Sequence, residues 1–213
     1  MFRILSLTVL AAALTLGPAL APGGAVRAAP VPEDQRIPVD IRRTTLLVRD
    51  IERSLPVYRD ALGLTVIYDE LIGGGTDAEG EERPPTTRLV LLRANDTFIG
   101  ALGLMQRLDI EPPPPPENRR AMPGDVIVVI NATDLEERFE RIAATPGVTV
   151  STPPTRIEYP APDGGVIPVL FSAVWDPDGY FIEVNRILGT PAGIAAPSPG
   201  PHRAHARSCG EKP

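Results

Sequence analysis

Chemistry in this chain must be done almost without cysteine or histidine. The one cysteine is Cys209 and the two histidines are His202 and His205, all close to the C-terminal end. A folded core upstream therefore offers neither thiol nor imidazole. That excludes a disulfide framework, a Cys/His zinc site, a cysteine nucleophile and a Ser-His-Asp triad within it. Polar side chains on β-rich runs are the remaining candidates. Alternation along an extended chain puts Arg43, Thr45 and Leu47 on one face of the first run. It puts Ile127, Val129 and Asn131 on one face of a later run, and Phe181, Glu183 and Asn185 on one face of the last. A guanidinium such as that of Arg43 can grip a carboxylate or phosphate in bidentate fashion. Asn131 can donate a hydrogen bond to a ligand or serve as a strand-end turn residue. Trp175 and Tyr180 flank Asp176-Pro177-Asp178-Gly179 and can stack on an apolar ligand or pack into the core.

An internal repeat supplies the elements that must position these residues. Residues 43–66 align with 127–150 at an offset of 84, with Asp50 matching Asp134, Glu52 matching Glu136, Gly63 matching Gly147, Thr65 matching Thr149 and Val66 matching Val150. Each copy has a β-rich run (44–48; 126–130), an Asp that can cap a helix, a helical stretch, and a Gly that ends the helix and starts a strand (64–68; 148–151). The first copy continues through a loop into strands over 87–93 and 98–104. The second continues through a Pro-rich loop into strands over 166–175 and 180–186. Each module thus reads β-α-β-β-β. Between them, Glu111 and five prolines (Pro112–Pro116) form a stiff spacer, able to cross a module edge rather than fold. Pro56 falls inside the first helix, removes a backbone donor, and is expected to kink the helix or shift its start. The loop over 72–85 reads either as a mobile lid or as a plain solvated loop. Its Gly73-Gly74-Gly75 has no GK[ST] and no strand–GxGxxG–helix context, so it is no phosphate loop.

The 213 residues are 43% apolar and 23% charged, a globular balance compatible with one domain or two small modules sharing a core. The net charge of −6, with Lys212 the only lysine, leaves no basic stripe for a phosphate backbone, so nucleic acid is not an expected partner. The arginine-for-lysine usage, with 26 prolines, reads as the codon bias of a GC-rich bacterial genome. Arg3 followed by an apolar run, proline breaks and Val26-x-Ala28 reads as a signal peptide over 1–28, cleaved after Ala28; the alternatives are an uncleaved membrane anchor or a misassigned start. Export to the periplasm or the medium follows from cleavage, and membrane contact only from its absence. Residues 29–37 read as a linker. Residues 189–213, dense in Pro, Gly and Ala, read as a disordered tail in which His202 and His205 are solvated.

The stretch RRTTLLVRDIERSLPVYRDALGLTV (42–66) and the stretch WDPDGYFIEVN (175–185) resemble the vicinal oxygen chelate superfamily of glyoxalase I, bleomycin-resistance proteins and extradiol dioxygenases. The resemblance spans residues 38–188, with module 1 at 38–108, the spacer at 109–122 and module 2 at 123–188. It implies an α+β fold in which two tandem βαβββ modules form an open, curved mixed sheet whose concave face takes the ligand. Such proteins typically hold a divalent metal there with four strand residues. The matching positions are Arg43, a position near Gly100, Ile127 and Glu183, of which Glu183 alone carries a suitable donor. The resemblance thus implies that Arg43 and Glu183 face each other across the former metal site, the guanidinium standing near where the ion would be. The favoured reading is an exported protein binding a small apolar or anionic molecule through Arg43, Glu183, Asn131, Thr45, Trp175 and Tyr180, with no cofactor. The alternatives are a lyase or dioxygenase-type enzyme with an altered divalent metal site around Glu183, and an interaction module, such as a homodimer pairing through its sheets, with a filled cleft.

Overall fold

A computed structural model describes residues 31–116, 119–161 and 164–189. The stretch read as a signal peptide and nearly all of that read as a tail, with both histidines and the cysteine, lie outside them. A short 3-10 turn at Glu33–Gln35 precedes the first module: β1 (Arg43–Leu47), α1 (Ile51–Leu55), β2 (Thr65–Ile72), β3 (Gly75–Thr76), β4 (Glu82–Arg83), β5 (Thr87–Arg93) and β6 (Ala101–Arg107). The second module has β7 (Ile127–Asn131), α2 (Leu135–Ala144), β8 (Thr149–Pro160), β9 (Val166–Trp175) and β10 (Phe181–Ile187). The two βαβββ units give two four-stranded mixed sheets of like order, β1-β6-β5-β2 and β7-β10-β9-β8. In each, the first strand runs parallel to the last and the other pairs are antiparallel.

Strand alternation sorts the faces as expected. Along β1, Leu46 is buried while Arg43 and Leu47 are exposed; along β10, Ile182 and Val184 are buried while Glu183 and Asn185 are half-buried. The buried sides of both sheets, α1, the turn after it and α2 share one core, in which Leu46, Leu104, Tyr58, Leu135, Ile142 and Val184 meet. At about 1.5–3 kcal/mol for each fully buried large apolar side chain, this shared core is the main term joining the modules.

Proline chemistry accounts for two departures from the expected elements. Pro56 lacks the N–H that would continue α1. The helix stops at Leu55 and residues 56–61 wind on as a π-turn, with Leu62 N donating to the Val57 carbonyl at 2.9 Å. The expected Pro-rich loop after Val150 is instead part of β8, which runs to Pro160. As an edge strand it tolerates Pro153 and Pro154: a donor missing on the open side costs no ladder bond, and the register shift between Thr152 and Thr155 accommodates one missing on the side of β9.

Carboxylates account for the others. β6 begins at Ala101 rather than Phe98, because Asp96 accepts from Phe98 N at 2.7 Å and Ile99 N at 2.8 Å and Gly100 turns the chain with φ 69°. The loop after β2 is partly ordered, as the β3–β4 ribbon closed by Asp77, which accepts from Glu79 N and Glu81 N. Asp50 caps α1 by accepting from Glu52 N at 2.9 Å, as expected. Asp134 does not cap α2. Its carboxylate is taken by Arg138, which also donates to the Ala61 and Leu62 carbonyls and so closes the end of the first module's helical segment.

Candidate ligand-binding site

The hairpin that joins β9 to β10 does more than turn the chain. Asp176 is fully buried and Asp178 nearly so. Oδ1 of Asp176 accepts from Asp178 N at 2.9 Å and Tyr180 N at 2.8 Å, and Oδ2 accepts from the Tyr58 hydroxyl at 2.7 Å. Asp178 accepts from Ser54 Oγ at 2.7 Å, from Arg49 N at 2.8 Å and from Arg49 Nη1 at 3.0 Å. Arg49 also donates to the carbonyls of Pro113 and Pro114, which pins the spacer across this module edge. Burial pushes the Asp176 carboxyl above the ordinary carboxylate value, against the pull of its hydroxyl and amide donors. Burial and the adjoining Asp176 charge likewise hold the Tyr58 hydroxyl well above a usual phenol. This cluster is a latch between modules, its polar atoms bonded to one another.

The predicted site residues are distributed around it. Arg43 and Asn131 border one cavity of about 370 Å³ between the facing edges of β1 and β7, walled by Ile41, Leu64, Leu92 and Ile130 among others. The Arg43 guanidinium has no carboxylate or carbonyl partner among the described residues. Thr45 packs instead on Gly103 of the neighbouring strand, where an added Cβ would lie 2.7 Å from Thr45 Oγ1. The expected pairing of Arg43 with Glu183 is not formed. In the second sheet β7 is the edge and β10 lies one strand further in, so Val129 stands beside Glu183 on the side of the cleft. Glu183 accepts from Asn185 Nδ2 at 3.3 Å. Trp175 and Tyr180 line a different cavity, of about 450 Å³, under the spacer. There Trp175 forms a tilted pair with Phe181 (centroids 4.7 Å apart). The Tyr180 hydroxyl is committed to the edge of β1, accepting from Leu47 N at 3.1 Å and donating to the Leu47 carbonyl at 2.9 Å.

The donor set does not fit the metal that the resemblance implies. Arg43 brings a cation to one ligand position, Ile127 and Gly100 bring no donor, and Glu183 is a single carboxylate. Among the described residues no three His, Cys, Asp or Glu side chains come together as a metal site. The residues that sequence reasoning missed are Arg119 and Arg120 of the cavity and the latch residues Arg49, Ser54 and Tyr58. The spacing of Ser54 and Tyr58, one helical turn apart, places both on one face of α1 and its continuation, but nothing in it names the aspartates they meet.

Residues 40–184 match the model of the Glyoxalase/Bleomycin resistance protein/Dioxygenase superfamily. No curated protein sequence matches the chain. Solved structures with the same fold include a glyoxalase family protein from Bacillus cereus (12% identity over 74% of this chain and 100% of that one, TM-score 0.50). An antibiotic-binding protein, TnmS3, from a Streptomyces species matches at 17% identity over 71% and 99% (TM-score 0.44). The fosfomycin resistance protein FosX of Listeria monocytogenes, solved with Mn(II) and sulfate, matches at 15% over 73% and 95% (TM-score 0.41). With the family model covering both modules and the paired four-stranded sheets in place, the chain belongs to the glyoxalase/bleomycin resistance protein/dioxygenase superfamily.

Proposed function

We propose that this is an exported small-molecule-binding protein, which takes an apolar ligand with an anionic end into the cleft between β1 and β7 and holds it through Arg43 rather than through a metal. The observation that carries this reading is a guanidinium with no partner among the described residues, on the rim of a cavity with aliphatic walls. Ile41, Leu64, Leu92 and Ile130 offer apolar contact, Asn131 a hydrogen-bond donor, and Arg43 the one cation among the described residues of that rim. A few convergent polar groups on an apolar cavity of this size is the usual make-up of a small-ligand site. Export is read from the leader, and an exported chain beginning at Ala29 by intact mass is its test.

The binding test uses decanoate and decanol, titrated calorimetrically into the full mature chain and its Arg43→Ala variant. A charge-assisted hydrogen bond is worth about 1.5–3 kcal/mol, and the rim position favours the lower end, so decanoate should lose about tenfold in affinity in the variant while decanol is unchanged. Equal decanoate affinity in a folded Arg43→Ala chain would overturn the reading.

A further inference from the structure

We propose that the cavity under the proline-rich spacer is a second ligand site, distinct from the β1/β7 cleft, and that it takes a flat aromatic anion, with Trp175 and Phe181 as the aromatic floor and Arg120 and Arg119 as the charge. The cavity, about 450 Å³, is large enough for a one- or two-ring molecule. Trp175 and Phe181 are half-buried rather than buried, so part of each ring borders the open volume. Tyr180 adds ring surface only, its hydroxyl being engaged by Leu47.

The charges around this volume are unequal in freedom. Arg49 is fully engaged by Asp178 and by the Pro113 and Pro114 carbonyls. Arg119 donates through Nη1 to the Asp176 carbonyl and Thr149 Oγ1 at 3.2 Å each, which steadies the guanidinium, and its other nitrogens have no partner among the described residues. Arg120 is exposed and has no partner among the described residues. Of the two carboxylates among the described lining residues, Asp178 is neutralised by Arg49, and Asp125 accepts from Met122 N at 2.8 Å in its own turn. The cationic groups left open to a ligand among the described residues are the Arg120 guanidinium and the uncommitted nitrogens of Arg119. An aliphatic anion would forgo the aromatic floor and a neutral arene would forgo the arginines; an aromatic carboxylate or sulfonate uses both. The β1/β7 cleft differs on both counts, with aliphatic walls and Arg43 as its cation, so the two sites select different ligands.

Trp175 is the sole tryptophan, so its indole N–H gives one resonance in a proton–nitrogen spectrum of the full mature chain. The probes are 2-naphthoate and its neutral isostere 2-naphthamide. Saturable movement of that resonance with 2-naphthoate is expected, with affinity about tenfold weaker for 2-naphthamide and, for 2-naphthoate itself, about tenfold weaker in Arg120→Ala, as loss of a charge-assisted contact dictates. Arg120 is exposed and forms no hydrogen bond or ion pair among the described residues, so Arg120→Ala is expected to leave the rest of the spectrum in place. Arg43→Ala should leave 2-naphthoate binding unchanged. Equal binding of acid and amide, no binding of 2-naphthoate, or no effect of Arg120→Ala would each overturn the proposal. Loss on Arg43→Ala instead would move the probe to the other cleft and overturn it as well.

Discussion

Replacing Tyr58 by Phe removes one hydroxyl from the latch and nothing else. The lost bond is the 2.7 Å donation to Oδ2 of Asp176, whose other oxygen keeps its two backbone donors. Asp176 is fully buried, so no water replaces the hydroxyl. A hydrogen bond to a buried carboxylate contributes about 1.5–3 kcal/mol, and leaving the acceptor unsatisfied puts the cost toward the top of that range. For a chain of this size each kcal/mol moves the midpoint by about 2–4 °C, so the thermal transition should fall by roughly 5–12 °C at neutral pH. Urea unfolding at constant m should give the same loss. The pH dependence makes the test specific. Burial already holds the Asp176 carboxyl above its ordinary value of 3.8, with the Tyr58 hydroxyl the largest opposing influence. A carboxyl whose native pKa is raised binds its proton more tightly folded than unfolded. Its ionisation therefore costs stability as pH rises from the unfolded value through the native one, and stability returns as pH falls back through that window. The Phe variant raises the native value further. Its penalty should be largest at pH 7 and shrink toward pH 4, where a neutral carboxyl accepts a bond worth about 0.5–1.5 kcal/mol. A penalty below about 0.5 kcal/mol at pH 7, or one that is flat from pH 4 to 7, would refute the reading of Asp176 as a charged, buried hub.

Three further substitutions probe how the modules are held. Arg138→Ala removes the donors to the Ala61 and Leu62 carbonyls and should cost about 1–2 kcal/mol in urea unfolding. Because the Arg138 bond holds the Asp134 carboxyl below its usual range, a further Asp134-linked contribution is present above pH 3.8 and lost as pH falls through the lowered native value, so the gap between wild type and variant narrows in acid to the part due to the carbonyl bonds. Gly103→Ala forces a Cβ to within 2.7 Å of Thr45 Oγ1 and should cost about 1–3 kcal/mol, most of it recovered by Thr45→Ala in a double-mutant cycle. Gly179→Ala meets both a φ of 92° and Pro116 Cγ at 3.0 Å, and should cost about 1–3 kcal/mol and speed proteolysis within the spacer.

The fold was legible because its determinants are local and repeated. The Asp50 cap, the glycines that close both helical segments and the alternation of Leu46 and Val48 against Arg43 and Leu47 act within a few residues, and all but the cap are repeated in structure 84 positions on. The errors fell where a side chain chose between two local partners or a distant one. Asp134 has the same sequence context as Asp50, yet Arg138 lies one turn further along and offers a bidentate partner, which the first copy lacks at Ser54. The prolines of β8 were misread because only sheet position distinguishes an edge strand, which tolerates them, from a loop, which needs them.

The site was less legible for a reason contained in the family resemblance itself. The residues carrying the resemblance include Ser54 and Tyr58 in one stretch and Asp176 and Asp178 in the other. Those four bond to one another, Ser54 to Asp178 across 124 positions and Tyr58 to Asp176 across 118. Much of the recognisable pattern therefore encodes how two modules lock together, not what either does to a ligand. The same bonds fix the hairpin to which Arg119 is anchored and, through Arg49, the spacer whose Pro116 borders that cavity. Polar side chains free of this lock are the ones left to meet solutes. Arg43 and Arg120 satisfy that condition among the described residues: neither makes a side-chain hydrogen bond or ion pair there, so no internal partner marks either in the sequence.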